Sequence, residues 1–289
     1  TGSHLIELKL RDGERKKIYI DRQQASKTGE LMGHLNVVMF APEDLAIVKE
    51  GPSERRRFMD ISLCQLRPRY AQALAEYNRL YEHKSRILKD WREKPSLLDT
   101  LDDFSDGMCR AGAHIIRYRA SFAQRLDEAA GPIHRDFSGN NEALSIGYQT
   151  VSSVTDPTAS AKDIYFELCE HQESHRRAEI ESGQCLSGVH KDDLIIEING
   201  RSARSYASQG QTRTAALSMK LAEREIFLAE MGEYPILLLD DVLSELDPGR
   251  QDFVLNQIVS GQVFITCCEP GRFTKLGKTI EIQKGNVIM

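Results

Sequence analysis

The sequence predicts an α/β fold: a sheet with parallel strands, flanked by helices, into which a long helical hairpin is inserted. Three observations carry this. Ile236-Leu-Leu-Leu239 is an unbroken apolar run between Pro235 and Asp240-Asp241, the pattern of a parallel strand buried on both faces. Residues 35–40 and 262–265 are short apolar runs of the same kind. Between the first of them and the C-terminal strands, apolar residues recur at helical spacing through Phe58, Ile61, Leu66, Leu74, Tyr77, Tyr81 and Leu88.

In chain order, Thr1-Gly-Ser-His4 reads as an expression remnant outside the fold. Residues 5–20 read as a β-hairpin turning at Asp12-Gly13, with Arg11, Arg15, Lys16 and Lys17 at its tip. Such a tip is either a solvated loop or a set of contacts to nucleic-acid phosphates. Residues 26–34 suggest a short helix or turn before the strand over 35–40, and Glu43 and Asp44 follow at that strand's C-terminal edge.

Ser53 can cap a long helix carrying Arg55, Arg56 and Arg57 in its first turns, with Pro68 as an interruption and Pro95 as its end. Ser96-x-x-Asp99 has the form of a capping box for a second long helix, stopped by Gly131-Pro132. More helix is expected over 160–182. Arg67, Arg69, Arg79 and Arg86 extend the arginine row; these side chains either face phosphates or pair with the many nearby acids.

Residues 139–150 read as a strand centred on Ala143-Leu-Ser-Ile-Gly-Tyr148, residues 183–188 as a loop, and 194–198 as an alternating strand turning at Asn199-Gly200. His190 is either structural or close to an interface. The helix after Gln211 buries Leu217, Leu221 and Leu228 on one face and ends at Gly232. Asp247 caps a further helix with Pro248 at its first position, and residues 278–289 form a closing hairpin around Gly285-Asn286.

The chain has 289 residues, 40% of them apolar and 28% charged, enough for a sizeable core and about two domains. No apolar run is long enough to cross a membrane, and no secretory signal is visible. The net charge of −5 excludes a globally basic nucleic-acid binder, so DNA contact would use local patches. The six cysteines form no C-x-x-C; they suggest reduced thiols in a cytoplasmic protein, not a zinc site or a disulfide framework.

Chemistry concentrates at two places. Asp240 and Asp241 leave the buried strand at its C-terminal end, the edge where open α/β sheets bind ligands. Either this is an acidic turn, or Asp240 holds Mg²⁺ and Asp241 orients an attacking water, as in a Walker B element. Upstream, Ser208, Gln209, Gly210 and Gln211 open a helix. Amides free at that N-terminus, together with the helix dipole, make an anion site, and Gly210 allows close approach of a phosphate; the plain alternative is a serine cap.

Ser-Gln-Gly-Gln, a helix, an apolar strand ending in Asp-Asp, and then Ser244-Glu-Leu-Asp247 resemble the signature motif, Walker B and D-loop of ABC-type ATPases. The resemblance narrows to the RecF family of the ABC/SMC class through Val38-Met-Phe-Ala-Pro-Glu-Asp-Leu45, Gly51-Pro-Ser-Glu-Arg-Arg-Arg-Phe-Met-Asp60, Gly188-Val-His-Lys-Asp-Asp-Leu194, Ala207-Ser-Gln-Gly-Gln211 and Leu237-Leu-Leu-Asp-Asp-Val-Leu-Ser-Glu-Leu-Asp247. It implies an ABC-type ATPase head over residues 5–50 and 183–289 and a helical arm over 51–182. It also implies ATP and Mg²⁺ as cofactors, an ATP-dependent homodimer, DNA as ligand, and RecO and RecR as partners at single-strand gaps. Within that resemblance Ser208 to Gln211 meet nucleotide in trans, Ser244 and Asp247 belong to the D-loop, and Thr266 holds the switch position. The family's P-loop, G-x-x-x-x-G-K-[S/T], is not found in the sequence. It is expected in a segment upstream, and this chain alone is expected to be deficient in ATP binding.

Overall fold

The computed structural model describes residues 4–25, 28–31, 33–241, 246–267, 277–284 and 286–288. β1 (Ile6–Lys9) and β2 (Lys17–Ile20) pair antiparallel, with Leu8 opposite Ile18. Gly13 in the connecting turn has φ 73, a conformation glycine adopts without steric cost. β3 (Gln23–Gln24), which no alternation signals, adds to β2. Of the helix or turn expected over 26–34, Thr28–Leu31 form one 3-10 turn; Ser26, Lys27 and Met32 lie outside the described residues.

β4 (Val37–Phe40) leads through a 3-10 turn, Pro42–Leu45, into α1 (Ala46–Lys49). Asp44 accepts the Ala41 amide at 2.8 Å and so caps that turn. α2 (Pro52–Leu66) begins at Pro52 with Gly51 as its cap residue, so Ser53 is inside the helix and not at its cap. Proline suits the first helical position because the amide it lacks would have no partner there. α3 (Pro68–Asp90) starts at the next proline.

α4 (Leu101–Phe137) corrects two expectations. The Ser96/Asp99 box is not formed: Pro95–Thr100 are a 3-10 turn, and Thr100 stands at the cap with its hydroxyl donated back to the Leu97 carbonyl and not bonded to an amide of the helix. Gly131-Pro132 do not end the helix either, which continues to Phe137. Pro132 removes one hydrogen-bond donor, but Ala130, His134 and Phe137 are all buried, and that packing holds the last turns in place.

β5 (Leu144–Gln149) is followed by α5 (Ala161–Ser182), capped by Ser160 and closed by Gly183 at φ 68. β5 pairs antiparallel with β6 (Asp193–Ile198), which turns through Asn199-Gly200, φ 52 and 71, into β7 (Arg201–Ser202). After α6 (Ala203–Tyr206), α7 (Gln209–Met231) runs through the centre of the molecule and ends at Gly232, φ 75. Its burial exceeds the one face expected: every residue over 214–224 is buried, while Leu228 is only partly so. Lys220, Glu223 and Arg224 are therefore enclosed and need partners. Lys220 and Glu223 lie 2.9 Å apart, Ser62 donates to Glu223 at 2.6 Å, and the Arg224 guanidinium stacks 3.9 Å from the Tyr234 ring.

β8 (Ile236–Asp240), α8 (Pro248–Gln257), β9 (Val263–Thr266), β10 (Glu281–Gln283) and β11 (Asn286–Ile288) complete the described chain. β8 is the centre of a parallel sheet ordered β4-β8-β9. Val38, Phe40, Leu237 and Leu239 are buried on one face of it. On the other, Met39 is 44% and Phe264 52% exposed, with Leu238 between them, so β8 and β9 are not buried on both faces as expected. The main apolar core runs from Val38 on β4 through α4 and α7 to Leu168 on α5. β10 and β11 pair as the expected closing hairpin; Gly285 itself is outside the described residues.

Candidate nucleotide site

The C-terminal edge of the parallel sheet positions the first part of the site. Register places Thr266, the last residue of β9, opposite Asp240, the last of β8. Thr266 Oγ1 donates to Asp240 Oδ1 at 2.6 Å and accepts the Asp241 amide at 3.0 Å. Asp241, at φ 50, turns the chain out of the strand through a left-handed conformation that is uncommon outside glycine. Both aspartates are exposed. The hydroxyl proton of Thr266 is engaged by Asp240, which leaves a lone pair and not a donor for any further contact. Exposed carboxylate oxygens at this edge are the hard donors that Mg²⁺ takes; the residues present fit that ion through Asp240.

The second part is the start of α7. Ser208 accepts the Gln211 amide at 3.2 Å, while Gln211 Oε1 accepts the Ser208 amide at 2.9 Å, a reciprocal capping box. Of the four residues expected to offer free amides, Ser208 and Gln211 are therefore occupied, and the first-turn amides of Gln209 and Gly210 remain. A Cβ on Gly210 would sit 3.6 Å from Arg250 Nη1, an ordinary contact. Arg250 belongs to α8, whose cap Asp247 accepts the Arg250 amide at 3.0 Å. The N-termini of α7 and α8 thus adjoin. Ser244 lies outside the described residues.

Two residues that no sequence pattern marks stand behind this turn. Gln211 Nε2 donates to Glu142 Oε1 at 2.9 Å, and Glu142 Oε2 lies 3.2 Å from His134 Nε2, off hydrogen-bond geometry. His134 is fully buried; burial pushes its pKa below the ordinary imidazole value, with Glu142 working against that. Its Nδ1 is 3.4 Å from Ser218 Oγ on α7. His134 reaches this position because α4 continues past Pro132.

No family model matches the chain. Among curated proteins, it is 38% identical over 286 residues to the DNA replication and repair protein RecF of Agathobacter rectalis, an alignment covering 98% of this chain and 76% of that protein. The chain belongs to the RecF family. It is 42% identical over 262 residues to the RecF of Clostridium kluyveri, covering 91% of this chain and 70% of the relative. Two solved RecF structures, described as the recombination mediator protein RecF–ATP and RecF–ATPrS in the RecFOR pathway, superpose with TM-scores of 0.88 and 0.87 at 33% identity, over 98% of this chain and 75% of theirs. The fold is accordingly that of an ABC-type ATPase head with a helical-hairpin arm.

Two of the RecF-like motifs turn out to hold each other. Arg55 is 5% exposed; its Nε and Nη2 donate to the two carboxylate oxygens of Asp193 at 2.6 and 2.9 Å, and Nη1 donates to the Glu50 carbonyl at 2.8 Å. Arg56 Nη1 donates to the Asp192 carbonyl at 2.7 Å. Arg119 on α4 binds Asp60 Oδ1 and Asp192 Oδ2, both at 2.8 Å. Arg55 is therefore buried and committed to Asp193 and Glu50 within the fold, which corrects its reading as a DNA contact. Arg57, 3.6 Å from Glu54, is exposed, as are Lys16 and Lys17, the latter 3.1 Å from Glu14. Arg69, Arg79 and Arg86 are exposed on α3 and form no ion pair among the described residues. His190 is held within the fold: its Nε2 donates to the Cys185 carbonyl at 3.1 Å and its Nδ1 accepts from Tyr77 at 2.8 Å, with burial lowering its pKa to about 4.

Proposed function

We propose that the chain is the DNA-binding ATPase of a RecF-type repair system, and that ATP draws two protomers together around nucleotide. The observation that carries this is the Asp240–Thr266–Asp241 arrangement at the C-terminal edge of parallel strands, in a chain whose relatives include RecF structures described with ATP. In this reading Asp240 holds Mg²⁺ and Asp241 orients the attacking water. The Gln209 and Gly210 amides, with Ser208 and Gln211, meet the phosphates bound by the partner protomer, and Asp247 holds the end of the D-loop against them. Bound ATP with Mg²⁺ supplies the phosphoanhydride whose cleavage reopens the dimer. ATP favours the dimer because it contacts both protomers, and the coupling works in both directions.

The head comprises residues 5–50 and 183–289 and the arm 51–182. DNA is met through Arg57, Arg69, Arg79 and Arg86 with Lys16 and Lys17, as phosphate contacts independent of sequence. The relatives' RecFOR setting supports RecO and RecR as partners; in this reading, recombinase loading at single-strand gaps is the outcome. Because the sequence contains no P-loop motif, this chain by itself is deficient in ATP binding.

The test is ATP binding and ATP-dependent dimerisation of this chain beside a protein of its relatives' full length. Response by the longer form alone, abolished by Asp240→Ala, is the expected result. Mg²⁺-dependent ATP binding by this chain alone would overturn the predicted deficiency, and silence of both forms would overturn the ATPase reading in favour of a partner-binding module.

A further inference from the structure

Glu142 and His134 are tied to the start of α7 by geometry that the proposed reaction does not use. Gln211's amide group has two tasks. Its oxygen receives the Ser208 amide, completing the cap, and its nitrogen donates to Glu142 Oε1 at 2.9 Å. An unanchored glutamine amide can rotate and present nitrogen where oxygen is required; a carboxylate on one side permits one orientation only. Glu142 is in turn backed by His134, fully buried on the last turns of α4, 3.2 Å from Oε2 and 3.4 Å from Ser218 on α7. Phe137, one turn further along α4, packs edge-on against Phe253 of α8 at 4.5 Å between ring centroids. The end of α4 thus abuts both helices whose N-termini make the site.

We infer that Glu142, backed by His134, is a positioning residue that fixes the Gln211 amide, and through it the Ser208–Gly210 turn, in the conformation that receives the partner protomer's nucleotide. This rests on the in-trans reading of that turn. Glu142 touches no nucleotide; its effect passes through Gln211. It therefore acts on dimer formation and leaves nucleotide binding within one protomer alone.

The experiment uses the protein at its relatives' full length and three variants: Glu142→Ala, Glu142→Gln and Ser208→Arg. Binding of a fluorescent ATP analogue to the dilute monomer, ATP-dependent dimerisation by sedimentation, and the unfolding midpoint without nucleotide are measured for each. Glu142→Ala is expected to weaken dimerisation about tenfold while analogue binding stays within about twofold. Glu142→Gln, which retains an oxygen for Gln211 Nε2, is expected to recover most of the loss, and Ser208→Arg to abolish dimerisation. Dimerisation unchanged in Glu142→Ala but lost in Ser208→Arg overturns the positioning role alone. Dimerisation unchanged in Ser208→Arg overturns the in-trans reading itself. A parallel fall of midpoint, analogue binding and dimerisation in Glu142→Ala assigns Glu142 to the scaffold and also overturns the inference.

Discussion

One hydroxyl joins the ends of two parallel strands: Thr266 Oγ1 lies 2.6 Å from Asp240 Oδ1 and 3.0 Å from the Asp241 amide. It fixes the rotamer of the first aspartate and the backbone of the second. Thr266→Val keeps the shape and removes both bonds, and is expected to lower ATP turnover by the full-length protein by about tenfold to a hundredfold. Thr266→Ser, which restores the hydroxyl, should return most of it. Phosphate release under saturating ATP measures both, and a Thr266→Val enzyme with unchanged turnover would remove the bridge from the chemistry.

The arginine run divides by burial. Removing one partner of an enclosed ion pair leaves the other charge unpaired, so Arg55→Ala is expected to cost about 3–5 kcal/mol of folding stability. Arg57→Ala, on an exposed pair, should cost less than about 1 kcal/mol. Urea unfolding separates the two. Arg79→Ala with Arg86→Ala should leave stability nearly unchanged and lower the salt dependence of DNA binding by up to about two phosphate contacts' worth. An unchanged salt slope would remove α3 from the DNA surface.

Gly188 admits no side chain. Its φ is 128, and a Cβ there would lie 2.2 Å from the Tyr77 hydroxyl. Gly188→Ala is expected to destabilise by about 3 kcal/mol, combining backbone strain with loss of the Tyr77–His190 bond. Adding Tyr77→Phe relieves the clash and not the strain, so the double variant should recover only part of the loss in a thermal melt. Full recovery would assign the whole cost to the clash.

His190 sets an acid limit. Its pKa in the fold is about 4, against 6.5 for free imidazole, because burial disfavours the cation. The unfolded chain therefore binds the proton more readily. The stabilisation is fully present above about pH 6.5 and is lost as pH falls towards 4, by up to about 3 kcal/mol at about 1.4 kcal/mol for each pH unit. Unfolding free energies of wild type and His190→Gln across pH 4–7 should converge towards the acid end. A constant difference between them would mean that His190 does not titrate in this window.

The α/β class, the central β8, the Asp247-Pro248 cap and the glycine stop at Gly232 were legible because each depends on neighbours in sequence. What was not legible depends on tertiary partners. Arg55 reads like any solvent-facing arginine until β6 brings Asp193 against it. Pro132 reads as a stop until the burial of His134 and Phe137 is seen to outweigh one lost hydrogen bond. Glu142 has no local signature at all, since its meaning lies in Gln211, far along the chain. The amides of Ser208 and Gln211 looked free because a capping box and an open anion site share one sequence pattern.

α4 has a consequence for how the molecule transmits force. At about 1.5 Å per residue, its 37 residues make a strut roughly 55 Å long. One end, Leu101, is clamped with Ile87, Leu88 and Cys185 in a small separate cluster, and the other, at His134 and Phe137, rests on α7 and α8. A hydrogen-bonded rod does not shorten to absorb a push. A push on the Leu101 end is thus expected to be felt where His134 and Phe137 meet α7 and α8, with Pro132, whose ring interrupts the ladder just before His134, as a point where the rod can bend.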